Sequence, residues 1–507
     1  MRKKSTRLLS AALAACMMAA VLPLGAMAQG RRDEETENSV SVLDVSSTPT
    51  TDEERIAPDW VKIDEKNFPD KNFREFLLKE KSGVNRDGDL IDKNQDGWLS
   101  KDEIEAVKAI NCSCDWPYDV DPIEKLTGIG YFTALEDLRC WYNQLTELDV
   151  SKNKALTSLS CQFNQLTELD VSDNTALTSL LCFGNQLKKL DLGDITALET
   201  LGCYDNQLTK LDVSKNTALK RLDCYRNRLT ELDVSNNTTL KSLWCSENQL
   251  TKLDLGDITT LKSLDCYSNQ LTKLDVSKNE ALERLACGSN PLTKLDLGDN
   301  TALKYLYCGG SQLKELDVSK NTKLTNLFCM SNQLTELDVS DNTALEDLRC
   351  GWNELKELNV RENKALMYLD CRGNQLTSLD LEKTKVKTGQ TSALEADGNS
   401  YNIAVDPNDQ FDLSALSGIS NFDIKKASNW SGGTVSDDGI LTVNKDAYGV
   451  TYTYDCGTTQ AGEHFSVKFT LNVPGHIVDP VDPNAPEDGG DTDDAADNIK
   501  GALSAIV

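Results

Sequence analysis

Between residues 92 and 103 the chain reads DKNQDGWLSKDE. Oxygen-bearing side chains stand first, third and fifth, at Asp92, Asn94 and Asp96; Ser100 is ninth, Glu103 twelfth, and Gly97 at the sixth position allows a sharp turn. Hard oxygens at this alternation suit a hard divalent cation, so one Ca2+ is expected here. Asp92, Asn94, Asp96 and Glu103 would ligate by side chain, Trp98 by its carbonyl, and Ser100 directly or through water. Leu99 is the apolar position of the loop. The rival reading is an acidic turn that binds no metal.

Other chemistry is poorly provided for. The chain has two histidines, His464 and His476, and no C-x-x-C pair, which leaves little scope for a Ser/His/Asp centre or a zinc site. A glycan hydrolase with paired carboxylates, or a carbohydrate-active accessory module, stays open as an enzymatic alternative. No segment resembles a catalytic domain, so the expectation is a binding protein and not an enzyme.

Cysteines recur at a strict spacing of 21: Cys140, Cys161, Cys182, Cys203, Cys224, Cys245, Cys266, Cys287, Cys308, Cys329, Cys350 and Cys371. Each copy has two similar halves, as in Leu156, Leu159, Cys161, Asn164 and then Leu166, Leu169, Val171, Asn174. Twelve copies without an insertion imply coils stacked in register. This pattern resembles the short, nested 21-residue leucine-rich repeats of bacteria, and residues 92–103 resemble an EF-hand loop. EF-hands usually pair, but here 85–89, NRDGD, is too irregular to be a second loop. A lone loop is expected to stabilise a cap.

The resemblance implies a mainly β fold: a solenoid of about twelve coils with two parallel sheets, "LSC" on one side and "LDV" on the other, each alternating inward and outward. Cysteine takes the inward place where such repeats usually carry leucine, so the thiols are expected to form a core column. Equivalent residues of adjacent coils lie ~4.8 Å apart, and parallel side chains keep their Cβ atoms about as far, too far for a relaxed disulfide. Cys112, Cys114 and Cys456 fall outside the column. The asparagines after each cysteine are expected to satisfy backbone groups at the corner.

The two sides differ in variability. The outward residue of the "LDV" side is Asp149, Asp170, Asp191 and so on through Asp338, then Asn359 and Asp380. It reads as a solvated, edge-protecting face, with a calcium-binding stack as the alternative. On the cysteine side the outward residues vary and are rich in rings: Trp141, Phe183, Tyr204, Tyr225, Trp244, Tyr267, Tyr307 and Phe328, with Arg139, Arg221, Arg284 and Arg349 among them. Outward rings serve no core, so this face is the candidate binding site for a protein or a polysaccharide. Cross-strand stacking that merely shields the sheet, in a structural cell-surface spacer, is the alternative.

These elements are placed as follows. Residues 1–28 have the charged, apolar, small-residue order of a Sec-type signal peptide, which implies a secreted or cell-surface protein. Residues 29–56 read as a disordered leader, 57–110 as an EF-hand-like helical cap, 111–130 as a junction and 131–382 as the repeats. Residues 383–474 read as an Ig-like antiparallel β-sandwich, and 475–507 as a disordered acidic tail. Beyond residue 28 no apolar run is long enough to span a membrane. A net charge of -28 disfavours nucleic acid and anionic membranes as partners. The expected form is a monomer.

Overall fold

The structure is a computed structural model and describes residues 59–79, 90–114, 121–387, 393–417 and 420–474. The segments read as signal peptide, leader and acidic tail lie outside the described residues.

Each coil presents an extended tripeptide such as Ser158–Ser160, whose central leucine is fully buried while its neighbours point away from the core. The following coil brings the same tripeptide alongside 21 residues later, Leu159 opposite Leu180 and Leu180 opposite Leu201. Since a one-residue slip would turn every leucine outward, burial locks the register. Fourteen strands make one parallel sheet. It begins at Ala109–Asn111 and ends at Leu394–Glu395. It therefore extends past the expected 131–382 at both ends.

The expected second sheet is only fragmentary. On the "LDV" side Glu168–Asp170 pairs with Lys189–Asp191 and Glu231–Asp233 with Lys252–Asp254. Elsewhere among the described residues this side runs without a ladder; its turns are held by side chains whether or not the strand pairs. Asn174 donates to the carbonyls of Val150 and Asn153 at 2.9 Å, and the Asp170 carboxylate accepts the Ser172 N–H at 2.9 Å.

Two modules close the solenoid. At the N-terminal end, β1 (Val61–Lys62) pairs antiparallel with β2 (Trp98–Leu99), and a short helix follows each strand, α1 (Lys71–Leu78) after β1 and α2 (Lys101–Ala106) after β2. Asp70 caps α1 through the Phe73 N–H, and its second oxygen accepts the N–H groups of Glu124 and Lys125. One carboxylate thus ties the helix to the first coil. Phe68 packs against Gly128, where a Cβ would come within 2.4 Å of its ring.

At the other end lie a four-stranded and a three-stranded sheet. The four-stranded sheet is mixed, in contrast to the antiparallel arrangement expected, because Ser400–Asn402 runs parallel to His464–Asn472, whereas the three-stranded sheet is antiparallel as expected. This module continues the solenoid core: the Tyr452 hydroxyl donates to the Thr377 carbonyl at 2.6 Å, and the Leu381 N–H donates to the Cys456 carbonyl at 2.9 Å. Among the described residues no helix is long and apolar enough to cross a membrane.

Candidate binding face

Three polar or thiol columns run the length of the solenoid beside the long sheet. The cysteine column is fully buried from Cys140 to Cys371. Its thiols and those of Cys112 and Cys456 are unbridged. Cys112 adds a further rung, since its N–H donates to the Arg139 carbonyl as Cys140 does to Ser160. Its 28-residue distance from Cys140 concealed this in the sequence. Burial pushes the Cys161 and Cys329 thiols up to about 12 and holds the other rungs well above their ordinary value.

At the corner after each strand, Asn164 donates to the carbonyls of Cys140 and Cys161 at 2.9 and 3.1 Å, and its carbonyl oxygen accepts the Leu145 N–H at 3.0 Å. The same amide repeats coil by coil; only Cys308 is followed instead by Ser311, whose hydroxyl is buried without a partner among the described residues. The residue just before each of these asparagines is left-handed, including Tyr142 at φ 55° and Phe163 at φ 56°. Gly184 is a glycine for a further reason, since a Cβ there would lie 2.6 Å from the Phe163 ring.

On the opposite side the aspartate column is a turn device. Asp149 Oδ1 accepts the Ser151 N–H at 2.9 Å, Asp212 that of Ser214 at 2.9 Å, and Asp317 that of Ser319 at 2.9 Å. Asn359 does the same for Arg361 at 3.1 Å, which is why asparagine is tolerated there. Hydrogen bonds from serine lower the carboxyls of Asp149, Asp212 and Asp317 from their ordinary value.

The variable face is built from the two outward residues of each strand and the residue after each cysteine. Its rings form a stack that climbs the coils. Tyr142 and Phe163 lie 4.4 Å apart and nearly parallel, Phe163 meets Phe183 edge-on at 5.2 Å, and Phe183–Tyr204 and Tyr204–Tyr225 are face to face at 4.1 and 4.3 Å. Tyr225 then meets Trp244 at 6.4 Å. Trp141, Tyr204, Tyr225, Trp244 and Tyr267 are half-buried, as a stacked ring must be.

Three expected exposed rings are almost covered: Phe183 is 9%, Tyr307 5% and Phe328 4% exposed. Phe183 is closed in by Phe163 and Tyr204. Tyr307 lies over Gly288, where a Cβ would come within 2.3 Å of the ring, and meets Tyr267 edge-on at 5.5 Å. Phe328 is covered by Tyr305 and by the Arg349 guanidinium, 4.7 Å from its centroid. Trp352, by contrast, is 53% exposed.

Carboxylates in the same rows were missed by reading rings alone. Arginine and aspartate occupy the two outward places of single strands and pair across the inward leucine: Arg139 with Asp137 at 2.9 Å, Arg221 with Asp223 at 2.7 Å and Arg349 with Asp347 at 3.1 Å. The tripeptides DLR and RLD were the available signal. Arg221 also lies 4.8 Å over Trp244, and Arg284 lies 4.0 Å over Tyr305. The face is thus aromatic and internally charge-paired.

In the loop at 92–103 the backbone takes the expected turn, with Gln95 at φ 58° and Gly97 at φ 78°. Asp92 is 2% exposed; its Oδ2 accepts the Gly97 N–H at 2.9 Å, while its Oδ1 is buried without a hydrogen-bond partner. Glu103 Oε1 accepts the Lys93 N–H at 2.8 Å, and Oε2 accepts from the Ser100 N–H and hydroxyl at 2.8 and 2.7 Å. Asn94 and Asp96 are hydrogen-bonded to each other at 2.8 Å. Burial raises the Asp92 carboxyl from its ordinary value, aided by Asp96 and Glu103. Among the described residues no three His, Cys, Asp or Glu side chains converge as a metal centre. The orphaned Asp92 oxygen and the all-oxygen donor set nevertheless fit Ca2+ in kind. In place of a second loop, β2 pairs with β1.

No protein-family model matches the chain, and no curated protein matches it. Among solved structures it is similar to the functional domain of InlJ from Listeria monocytogenes, at 29% identity and a TM-score of 0.59, over 83% of this chain and 99% of that one. That structure is described as including a cysteine ladder. An internalin, InlF, of the same organism aligns at 23% identity and a TM-score of 0.53, over 63% of this chain and 93% of the other. A leucine-rich repeat protein of Leptospira interrogans aligns at 26% identity and a TM-score of 0.48, over 55% and 76%. The chain is a leucine-rich repeat solenoid of about twelve coils, and these three solved relatives in structure are bacterial.

Proposed function

We propose that the protein is exported and binds a partner protein across the variable face of the long sheet, with Ca2+ in the loop at 92–103 stabilising the N-terminal module. The observation that carries this reading is the contrast between the two sides of each coil. The aspartate side repeats one residue because each carboxylate caps the next turn, whereas the sheet side varies along the coils and gathers Trp, Tyr and Arg. Those three residue types dominate binding energy where they are desolvated.

A protein suits the face better than a polysaccharide. Sugars stack on ring faces, but Phe183, Tyr204 and Tyr225 cover each other's faces at 4.1 and 4.3 Å, leaving ring edges to an incoming surface. The role is binding, without a catalytic site. For the cation, Asp92, Asn94, Asp96 and Glu103 would contribute side chains, Trp98 a carbonyl and Ser100 its hydroxyl. Binding of a cell-surface protein extract to immobilised protein, compared between the parent and a Tyr204→Ser, Tyr225→Ser, Tyr267→Ser variant, tests the reading. Unchanged capture by the variant would reject it.

A further inference from the structure

We infer that the sheet face holds a specific subsite for a cationic side chain, arginine or lysine, of the partner protein, built on Asp265 and Asp223 around Trp244. The inference rests on the protein-binding reading of the same face and gives it a chemistry.

Asp223, Trp244 and Asp265 occupy the same outward position of three consecutive strands, Asp223 opposite Trp244 and Trp244 opposite Asp265. Adjacent strands are ~4.8 Å apart, so an indole stands between two carboxylates within reach of one planar cation. Tyr225, Ser246 and Tyr267 follow one another in the neighbouring column, two residues further along the same strands. Ser246 replaces a ring there; it is buried, and its hydroxyl donates to the Asp265 carboxylate.

Both carboxylates carry unspent capacity. Asp223 is 6% exposed; its Oδ2 pairs with Arg221 at 2.7 Å, while its Oδ1 is buried with no hydrogen-bond partner among the described residues. Such an acceptor costs stability while it stays unsatisfied. The neighbouring Trp244 Nε1 is likewise buried and without a partner among the described residues. Asp265 accepts the Tyr267 N–H at 3.2 Å and forms no salt bridge among the described residues, unlike Asp137, Asp223, Asp347 and Asp370 of the same rows. Burial pushes its carboxyl up to about 6, with Glu247 raising it and Arg284 and Ser246 lowering it. An anion held among rings, with Arg284 near but not in direct salt-bridge contact, is stabilised further by an incoming cation.

The protein displays the intended geometry with its own residues. Arg221 lies over the Trp244 ring while paired to Asp223, and Arg349 lies over Phe328 while paired to Asp347. A guanidinium over a ring beside a carboxylate is thus a repeated local solution on this face. At Asp265 the carboxylate and rings are present, and the cation would come from outside.

The probe is an alternating Ser-Arg peptide, with the uncharged Ser-citrulline peptide of the same length beside it. Titration calorimetry on the full chain is expected to give one saturable site for the arginine peptide and none for the citrulline peptide. Asp265→Asn keeps the shape and the Tyr267 N–H bond, and should weaken binding at least about tenfold, as should Trp244→Leu. Asp212→Asn, on the opposite side, should leave it unchanged. Failure of the parent to bind, or equal weakening by Asp212→Asn, would overturn the subsite and reduce any attraction to net charge. Those outcomes leave the wider reading standing if the triple tyrosine variant still loses extract capture; if it does not, the wider reading fails first.

Discussion

Asp265 is the residue whose environment makes the most testable demand. Its folded carboxyl is raised to about 6 by burial, above its ordinary value of 3.8, so the folded state holds a proton more tightly than the unfolded chain. The stability this carboxyl contributes is therefore fully present below the unfolded value and is lost as pH rises from about 4 to 6, by up to about 3 kcal/mol if the whole shift is expressed. Asp265→Asn removes the ionisation and should flatten that slope and raise the melting temperature at neutral pH. Thermal scans across pH measure both. An unchanged slope would mean that the carboxylate is not the group at work.

The thiols make the opposite demand, for inertness. With the ladder fully buried and its thiols held at about 12 or above, little thiolate forms near neutrality, and alkylation of the native chain should be slow. Mass measurement after alkylation in denaturant should show all twelve ladder thiols labelled. Four or more disulfides would contradict the column. The column was legible from spacing alone, because one inward residue per coil at a fixed period leaves little else for the residue to do. Asp265 and Asp223 were not legible, since their meaning comes from neighbours 21 residues away on either side, and a reading that sorts rings from acids separates what the sheet puts together.

Among the elements, the loop at 92–103 and the short strand β1 belong together. Asp92, Asn94, Asp96, Gly97 and Glu103 could be read directly, because the loop's donors are local in sequence. The role of β1 could not: Val61 meets Leu99 across nearly forty intervening residues, and nothing in VK announces a strand. Calorimetry with calcium alone should give about one site, and calcium should raise the melting temperature of the chain by mass action. Glu103→Gln retains hydrogen-bonding atoms at the α2 cap but loses the charge, and should abolish that calcium-dependent rise. A rise that survives in the variant would move the cation away from this loop.

The half-coil on the aspartate side teaches a related lesson. Sequence symmetry between "LSC" and "LDV" suggested two equal sheets, but equal alternation did not produce equal ladders. Asp170 caps its turn just as Asp149 and Asp212 do, yet only some of these tripeptides pair, so the symmetry of the sequence does not by itself fix where ladders form.

For the molecule as a whole, the solenoid is two surfaces made by one repeat: a uniform side spent on turns, and a varied side available to a partner. The central claim is that binding belongs to the second. Tyr204→Ser, Tyr225→Ser and Tyr267→Ser together should weaken capture of the partner by roughly tenfold or more. The circular dichroism of the solenoid should be retained, because the buried leucines and cysteines are unchanged. Asp212→Asn, Asp233→Asn and Asp254→Asn together are the matched control, since Asn359 already shows that an amide can cap this turn. The most direct measurement is the affinity of the two triple variants for the same partner, side by side with the parent. Loss in the tyrosine variant with near-parent affinity in the asparagine variant is the predicted result; loss in the asparagine variant alone would place recognition on the aspartate side and contradict the account.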